Sequence, residues 1–268
     1  MVARPLALVA LIAVMSFPAA AAEIVQLHAA GSLREALDDI IGAFTAASGD
    51  RVEAKYGASG TLKDEIAGGA RTEIFVSANM THPEALARMK RAAPAVLFAR
   101  NRLCALVRPG LAVTSETLLD RMLDPAVRLG TSTPKADPSG DYAWEVFRKA
   151  EAIRPGAYQQ LDKKALQLTG GPTSPAPPPG RTIYGALIAQ GAADIFLSYC
   201  TSALTAQRET PGAQVVALPD TLAMGADYGL TVMADASPAA YRLALFILST
   251  DGQHILASRG FATPNLPQ

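Results

Sequence analysis

The sequence predicts an α/β fold with largely parallel sheets, and three observations carry that expectation. Short apolar runs alternate with segments whose apolar residues recur at helical spacing, almost throughout the chain. The first two strand-helix pairs are joined by hydroxyl-bearing turns, Gly31-Ser32-Leu33 and Gly57-Ala58-Ser59-Gly60. The length, 268 residues less an expected 22-residue leader, leaves 246, enough for a sizeable core and best suited to two medium domains.

The elements follow in order. Ile24, Val25 and Leu27 form an extended run, and Leu33, Leu37, Ile40, Ile41 and Phe44 then recur at helical spacing. Ser32 is read as the N-cap of that helix, with Glu35 completing a capping box. Val52 to Tyr56 repeats the strand, and Leu62 and Ile66 repeat the helix after Ser59. Glu73 to Ala78 is a buried-looking strand, Leu86 and Met89 return to helical spacing, and Arg102 to Val107 is a further strand. Next come Leu118 to Leu123 (helix), Val127 to Thr131 (strand), Tyr142 to Ala150 and Ile183 to Gln190 (helices), and Ile195 to Tyr199 (strand). Val215 to Leu218 and Leu230 to Ala234 are strands. Two helices close the chain, Pro238 to Leu248 capped by Ser237 and Gly252 to Ser258 capped by Asp251. Gly170 to Gly180 holds five prolines and reads as a stiff extended loop.

The two hydroxyl-bearing turns are the candidate site. A helix start presents unpaired N–H groups and the positive end of the dipole, so two of them with serine hydroxyls can hold an oxyanion without a cation. A single serine at a helix start is more often structural, and it is the matched pair that favours a ligand.

Composition narrows the partners. Arg4, the apolar stretch Leu6 to Phe17 and Ala20-Ala21-Ala22 have the layout of a secretory signal peptide, residues 1–22, which directs the mature chain to a Gram-negative periplasm. The apolar part is too short for a bilayer span. Basic and acidic residues balance at 24 each and are scattered, so there is no electrostatic footprint for nucleic acid or a membrane surface. Cys104 and Cys200, the two cysteines, sit in apolar strand-like runs, and either a disulfide or two buried thiols fits. The three histidines have no metal-ligand spacing and no nucleophile motif occurs, so neither an enzyme nor a metal or other cofactor is expected. Aromatic residues make up only 6% of the chain, which argues against a sugar or peptide cleft and for a small ligand.

Seven segments in order, A-A-G-S-L (29–33), Y-G-A-S-G (56–60), E-I-F-V-S-A (73–78), N-R-L (101–103), D-P-S-G-D-Y-A (137–143), D-I-F-L-S-Y (194–199) and S-T-D-G-Q-H-I-L-A-S-R-G-F (249–261), resemble the molybdate-binding periplasmic proteins of ABC importers. The resemblance spans essentially the whole mature chain. It implies a two-lobed type II periplasmic-binding-protein fold with the ligand in the cleft between lobes. Lobe one is expected at residues 23–101 plus 229–268 and lobe two at 102–228. It further implies a monomer that captures molybdate or tungstate as the oxyanion and hands it to an ABC permease; sulfate, another anion or a small organic solute is the alternative.

Carried over by position, the resemblance assigns hydroxyl donors to Ser32 and Ser59, a backbone donor to the helix start at Ser139 and Gly140, another to Ile183, and a phenol to Tyr199. This chain departs from the family pattern in three ways. Ser139 adds a hydroxyl, the Pro-rich loop brings Arg181 towards a site that normally lacks a cation, and Thr131, Ser132 and Thr133 add further hydroxyls.

Overall fold

The computed structural model describes residues 23–264, so the expected leader at 1–22 lies outside the described residues. The first half of the chain forms β1 (Ile24–Ala30), α1 (Arg34–Ser48), β2 (Arg51–Gly57), α2 (Ser59–Ala67), β3 (Ile74–Ser77), α3 (Thr81–Arg88) and β4 (Val96–Val107). The middle forms α4 (Leu118–Leu123), β5 (Leu129–Ser132), α5 (Pro138–Ile153), α6 (Ala157–Lys164), β6 (Leu166–Thr169), α7 (Ile183–Ala189), β7 (Ile195–Tyr199) and α8 (Cys200–Glu209). The chain finishes with β8 (Gln214–Ala217), β9 (Gly225–Val232), α9 (Pro238–Leu248) and α10 (Thr250–Ser258).

The strands join in the order β2-β1-β3-β9-β4-β7-β5-β6, with β8 also on β4. The fold is the expected α/β, two-lobed one. Its sheet is mixed, which corrects the largely parallel expectation: β1 pairs parallel with β2 and β3, and β5 with β6 and β7, whereas every pairing made by β4 and β9 is antiparallel. The reason lies in β4. Residues Val96 to Arg102 pair with β9, and Leu103 to Val107 pair with β7, while Cys104 to Val107 also pair with β8. One long strand thus links two parallel half-sheets, and strands that return across it run the other way.

Burial follows the periodicity. Leu37, Ile40 and Phe44 of α1 are buried against Val25 and Leu27 of β1, and Leu243 and Ile247 of α9 join the same core. A second cluster under α7 and α8 contains Phe196, Leu106 and Ala203, and a third packs Leu62, Ile66, Phe75 and Leu86. Ser237 caps α9 as expected, its hydroxyl accepting from the Ala240 N–H. The cap of α10 is Ser249, accepting from Gly252, and Asp251 lies inside the first turn instead. Asp251 is therefore a favourable charge at the helix's positive end and not its cap.

Cys104 and Cys200 form a disulfide, Cα atoms 4.8 Å apart, that fastens β4 to the first residue of α8. Among the described residues no helix is long and apolar enough to cross a membrane.

Candidate anion-binding cleft

The first turn differs from expectation in a way that matters for its serine. After β1 the chain makes one 3-10 turn, Gly31–Leu33, before α1 begins at Arg34, and no side chain caps either helix. Ser32 is not an N-cap and Glu35 closes no capping box, because the extra turn carries the hydroxyl away from the α1 amides. The Ser32 hydroxyl meets the Tyr228 phenol at 2.9 Å, and the Glu35 carboxylate pairs with Arg208 and Arg259, each at 3.3 Å.

Tyr228, on β9, is fully buried, and its phenol lies 3.4 Å from Asn101 Nδ2, which also donates to Thr201 Oγ1 at 2.9 Å. An amide nitrogen has only protons to give, so the phenol oxygen accepts from Asn101, and in its contact with Ser32 either hydroxyl can be the donor. When the phenol is the donor, Ser32 keeps its own O–H for the cavity, and the chain Asn101–Tyr228–Ser32 then polarises it.

The second turn places Ser59 as the first residue of α2, with Ala58 at the N-cap position. Ser59 is 1% exposed, and its oxygen accepts from the Ala78 N–H at 3.1 Å, so its proton too is unspent. The next two amides, Gly60 and Thr61, donate across the cleft to the Ala136 carbonyl at 2.9 and 3.3 Å. A Cβ on Gly60 would stand 2.2 Å from the Lys135 carbonyl oxygen, and only glycine allows this approach.

On the opposite wall Asp137 caps α5: its Oδ1 accepts from Ser139 N–H at 3.0 Å and its carbonyl accepts from Gly140 N–H at 2.9 Å. Both amides assigned by the resemblance are therefore engaged at home. Ser139 and Gly140 are buried behind the cleft wall, and Asp137 is the member of this turn that faces the space. The Ser139 hydroxyl, like that of Ser132, is buried without a hydrogen-bond partner.

At α7 the Thr182 side chain caps the helix by accepting from Gly185 N–H, and the Glu209 carboxylate accepts from both the N–H and the hydroxyl of Thr182 at 2.8 Å. Ile183 stands at the first helical position, where its N–H has no partner within the helix. Tyr199, at the end of β7, is 2% exposed and directs its O–H to the Ala78 carbonyl at 3.4 Å, a contact from one half-sheet to the other.

These elements enclose a cavity of about 1020 Å³. Ser32, Ser59, Ile183 and Tyr199 all line it, together with Asp137 and Arg181, and Ser139 and Gly140 do not. Four arginines (34, 181, 208 and 259) and three acids (Glu35, Asp137 and Glu209) share the wall. Burial pushes the Asp137 carboxyl up to about 6, against the hydrogen bond from Ser139. Among the described residues no group of three or more His, Cys, Asp or Glu side chains could hold a metal ion.

Sequence reasoning passed over Tyr228, Asn101, Asp137 and Glu209 as site residues. Asn101 and Asp137 lie inside segments that carry the resemblance, so the signal for them was present. Tyr228 was hidden because the last strand was read from Leu230, whereas β9 begins at Gly225.

A two-lobed fold with a cavity lined by hydroxyls, amides and charged side chains is the architecture of a protein that takes up a small solute. The chain belongs to the family of bacterial extracellular solute-binding proteins, which it matches over residues 25–262. It is 33% identical over 241 residues to an uncharacterized protein of Pasteurella multocida (strain Pm70), covering 90% of this chain and 99% of that one. Three solved structures share the fold. The periplasmic molybdate-binding protein of Azotobacter vinelandii is 18% identical with a TM-score of 0.72, covering 91% of this chain and 100% of that chain. The sulfate-binding protein SubI of Mycobacterium tuberculosis H37Rv is 19% identical with a TM-score of 0.74, covering 91% and 88%. The periplasmic binding protein AfuA of Actinobacillus pleuropneumoniae, with fructose-6-phosphate bound, is 11% identical with a TM-score of 0.68, covering 91% and 85%.

Proposed function

We propose that this protein captures a tetrahedral oxyanion in the periplasm, molybdate or tungstate in the form the sequence resemblance implies, and delivers it to an ABC permease without chemically altering it. The observation that carries the reading is the pair of hydroxyls, Ser32 and Ser59, which both line the cavity and are each held from behind, by the Tyr228 phenol and the Ala78 N–H; with the phenol donating to Ser32, both serine protons serve the solute. A dianion leaving water loses a hydration energy of many kcal/mol and needs donors on nearly every oxygen. Ser32, Ser59 and the Ile183 amide form the start of such a set, with Tyr199 joining if the solute displaces its contact to Ala78. Sulfate, or an oxyanion on a small organic solute, is the alternative. The molybdate-, sulfate- and sugar-phosphate-named neighbours differ in ligand but agree in a tetrahedral oxyanion group.

The reading takes residues 1–22 as a removed leader, and residues 23–101 plus 229–268 and residues 102–228 as the two lobes of a monomer. Solute contacts made by both lobes stabilise the closed form, the shape a permease would recognise. Thermal shift and calorimetric titration with molybdate, tungstate, sulfate and phosphate test it, since a ligand that binds only the native state raises the melting temperature. Ser59→Ala is expected to weaken oxyanion affinity by about 1–3 kcal/mol. Unchanged affinity in that variant removes Ser59 from the shell.

A further inference from the structure

The three acids of the cavity wall are unequally committed. Glu35 pairs with Arg208 and Arg259, and both oxygens of the Glu209 carboxylate accept from Thr182. Asp137 forms no ion pair among the described residues, and its side-chain hydrogen bond, from the Ser139 N–H, goes to Oδ1. Its Oδ2 is left for the cavity.

The fold sets this carboxyl beside the serines. Gly60 and Thr61 donate to the Ala136 carbonyl, so the residue before Gly60 and the residue after Ala136 meet the cavity at one junction, Ser59 on one side and Asp137 on the other, with Ser32 in the same wall. The Pro-rich loop begins against the same carboxyl at Gly170, where a Cβ would stand 2.6 Å from the Asp137 Cβ and 2.7 Å from Oδ2. Backbone thus covers part of it from water. The Ser132 hydroxyl of β5 lies close by, buried without a partner. Tyr184 of α7, Tyr199 of β7 and Tyr228 of β9 are all near enough to feel the carboxylate's charge, and burial keeps these phenols neutral at physiological pH. The one charge that acts on Asp137 is Asp141 of α5, of the same sign and itself answered by Lys135 and Arg148. Arg181 and Glu209 share the cavity, but neither pairs with Asp137.

A carboxylate so placed repels a dianion on the serines, since a like charge within about 4–6 Å disfavours the ionised form. A neutral carboxylic acid in the same place is a donor. We infer that Asp137 joins the oxyanion shell as the neutral acid, Oδ2–H donating to a solute oxygen, so that each bound dianion brings one proton from solvent into the protein. This rests on the oxyanion reading above and adds the residue that ties binding to pH. Burial already raises the carboxyl of the free protein to about 6, so protonating it near neutrality costs little, and a dianion beside it raises it further. The sign follows from linkage. Below about pH 6 the acid is protonated with or without solute and affinity is flat; above it the proton must come from solvent, and affinity falls about tenfold per pH unit.

Calorimetric titration of the full mature chain with molybdate and with sulfate from pH 6 to pH 8.5, with proton uptake at pH 8 followed by pH-stat, tests the inference in the wild type and in Asp137→Asn. The wild type is expected to lose affinity about tenfold per pH unit for each dianion it binds, and to take up about one proton per anion at pH 8. Asp137→Asn keeps an oxygen for the Ser139 N–H and sets an amide N–H where the acid O–H stood. It should bind with no proton uptake, with affinity flat across the range, and about tenfold or more tighter than the wild type at pH 8. Unligated melting curves establish that the variant folds, and the wild-type profile needs no variant. Wild-type affinity that does not change with pH, or a pH slope that survives Asp137→Asn, overturns the inference while the oxyanion site stands. If neither molybdate nor sulfate binds at pH 6, the oxyanion reading itself fails.

Discussion

Two serines that follow neighbouring strands, Ser32 in a 3-10 turn and Ser59 at the first position of α2, are supported differently. Ser59 is fixed by one backbone N–H, whereas Ser32 is oriented by a chain of side chains that begins at Asn101. Tyr228→Phe removes the middle of that chain and should lower oxyanion affinity about tenfold by freeing the Ser32 hydroxyl to turn, with the ring packing on Phe98, Tyr199 and Phe261 retained. Affinity equal to wild type would show that Ser32 needs no orienting partner. Asp137 makes a second prediction. Its carboxyl titrates at about 6 in the folded protein against an ordinary 3.8, so between those values the folded state holds more protons than the unfolded one. Stability contributed by this group is therefore greatest at low pH and declines as pH rises from about 4 to 6. Asp137→Asn keeps an oxygen to cap Ser139 and should abolish that decline, raising stability at pH 7 by on the order of 1–2 kcal/mol in urea unfolding. A variant whose pH profile parallels the wild type would contradict the assignment. Ser139→Ala should leave stability unchanged within about 1 kcal/mol, since the hydroxyl it removes has no partner to lose.

Among the elements, the two covalent and ionic ties to β4 and β7 hold the far half-sheet in register. The Cys104–Cys200 bridge spans 96 residues, and Cys104→Ala with Cys200→Ala should cost about 2–5 kcal/mol, read as a lower denaturant midpoint that reducing agent no longer shifts. Asp194, 7% exposed in its side chain, accepts from both Arg108 and Arg128 at the start of β7, and those guanidiniums hold its carboxyl far below the usual range. Legibility of the elements tracked apolar density. α4, β7 and α9 were read to the residue, each having several large apolar side chains and clear borders. α8, Cys200–Glu209, was missed because it buries only small residues, Ala203 and Ala206 among them, and α6 because Ala157 and Leu161 are its buried residues. The first half of β4 was missed because Arg100 and Asn101 interrupt its apolar run, although that half is what joins the two half-sheets. The paired serine turns, which recur in one context, were legible as a candidate site, and both serines line the cavity. The closure contacts were not, because Ala136 and Ala78 act through backbone atoms that leave no mark in residue type.

For the molecule as a whole, the contacts that join the two sides lie beside the proposed solute donors. The α2 amides of Gly60 and Thr61, the Ala78 carbonyl and the Glu35 carboxylate each reach across the cleft, so the two sides meet at several points around the cavity rim. Gly60→Ala places a methyl against the Lys135 carbonyl and, in the open–closed cycle proposed above, penalises the closed form alone. It should therefore weaken solute binding at least tenfold, leave the unligated melting temperature within a few degrees, and enlarge the radius of gyration measured in solution with ligand present. The central claim is that free hydroxyl protons of Ser32 and Ser59 receive a tetrahedral oxyanion in this cavity. A crystal grown with tungstate tests it most directly, because the heavy atom locates itself by anomalous scattering. The account predicts one tungstate with oxygens about 2.7–3.0 Å from both serine hydroxyls; a cleft without tungsten, or tungsten bound away from both serines, would contradict it.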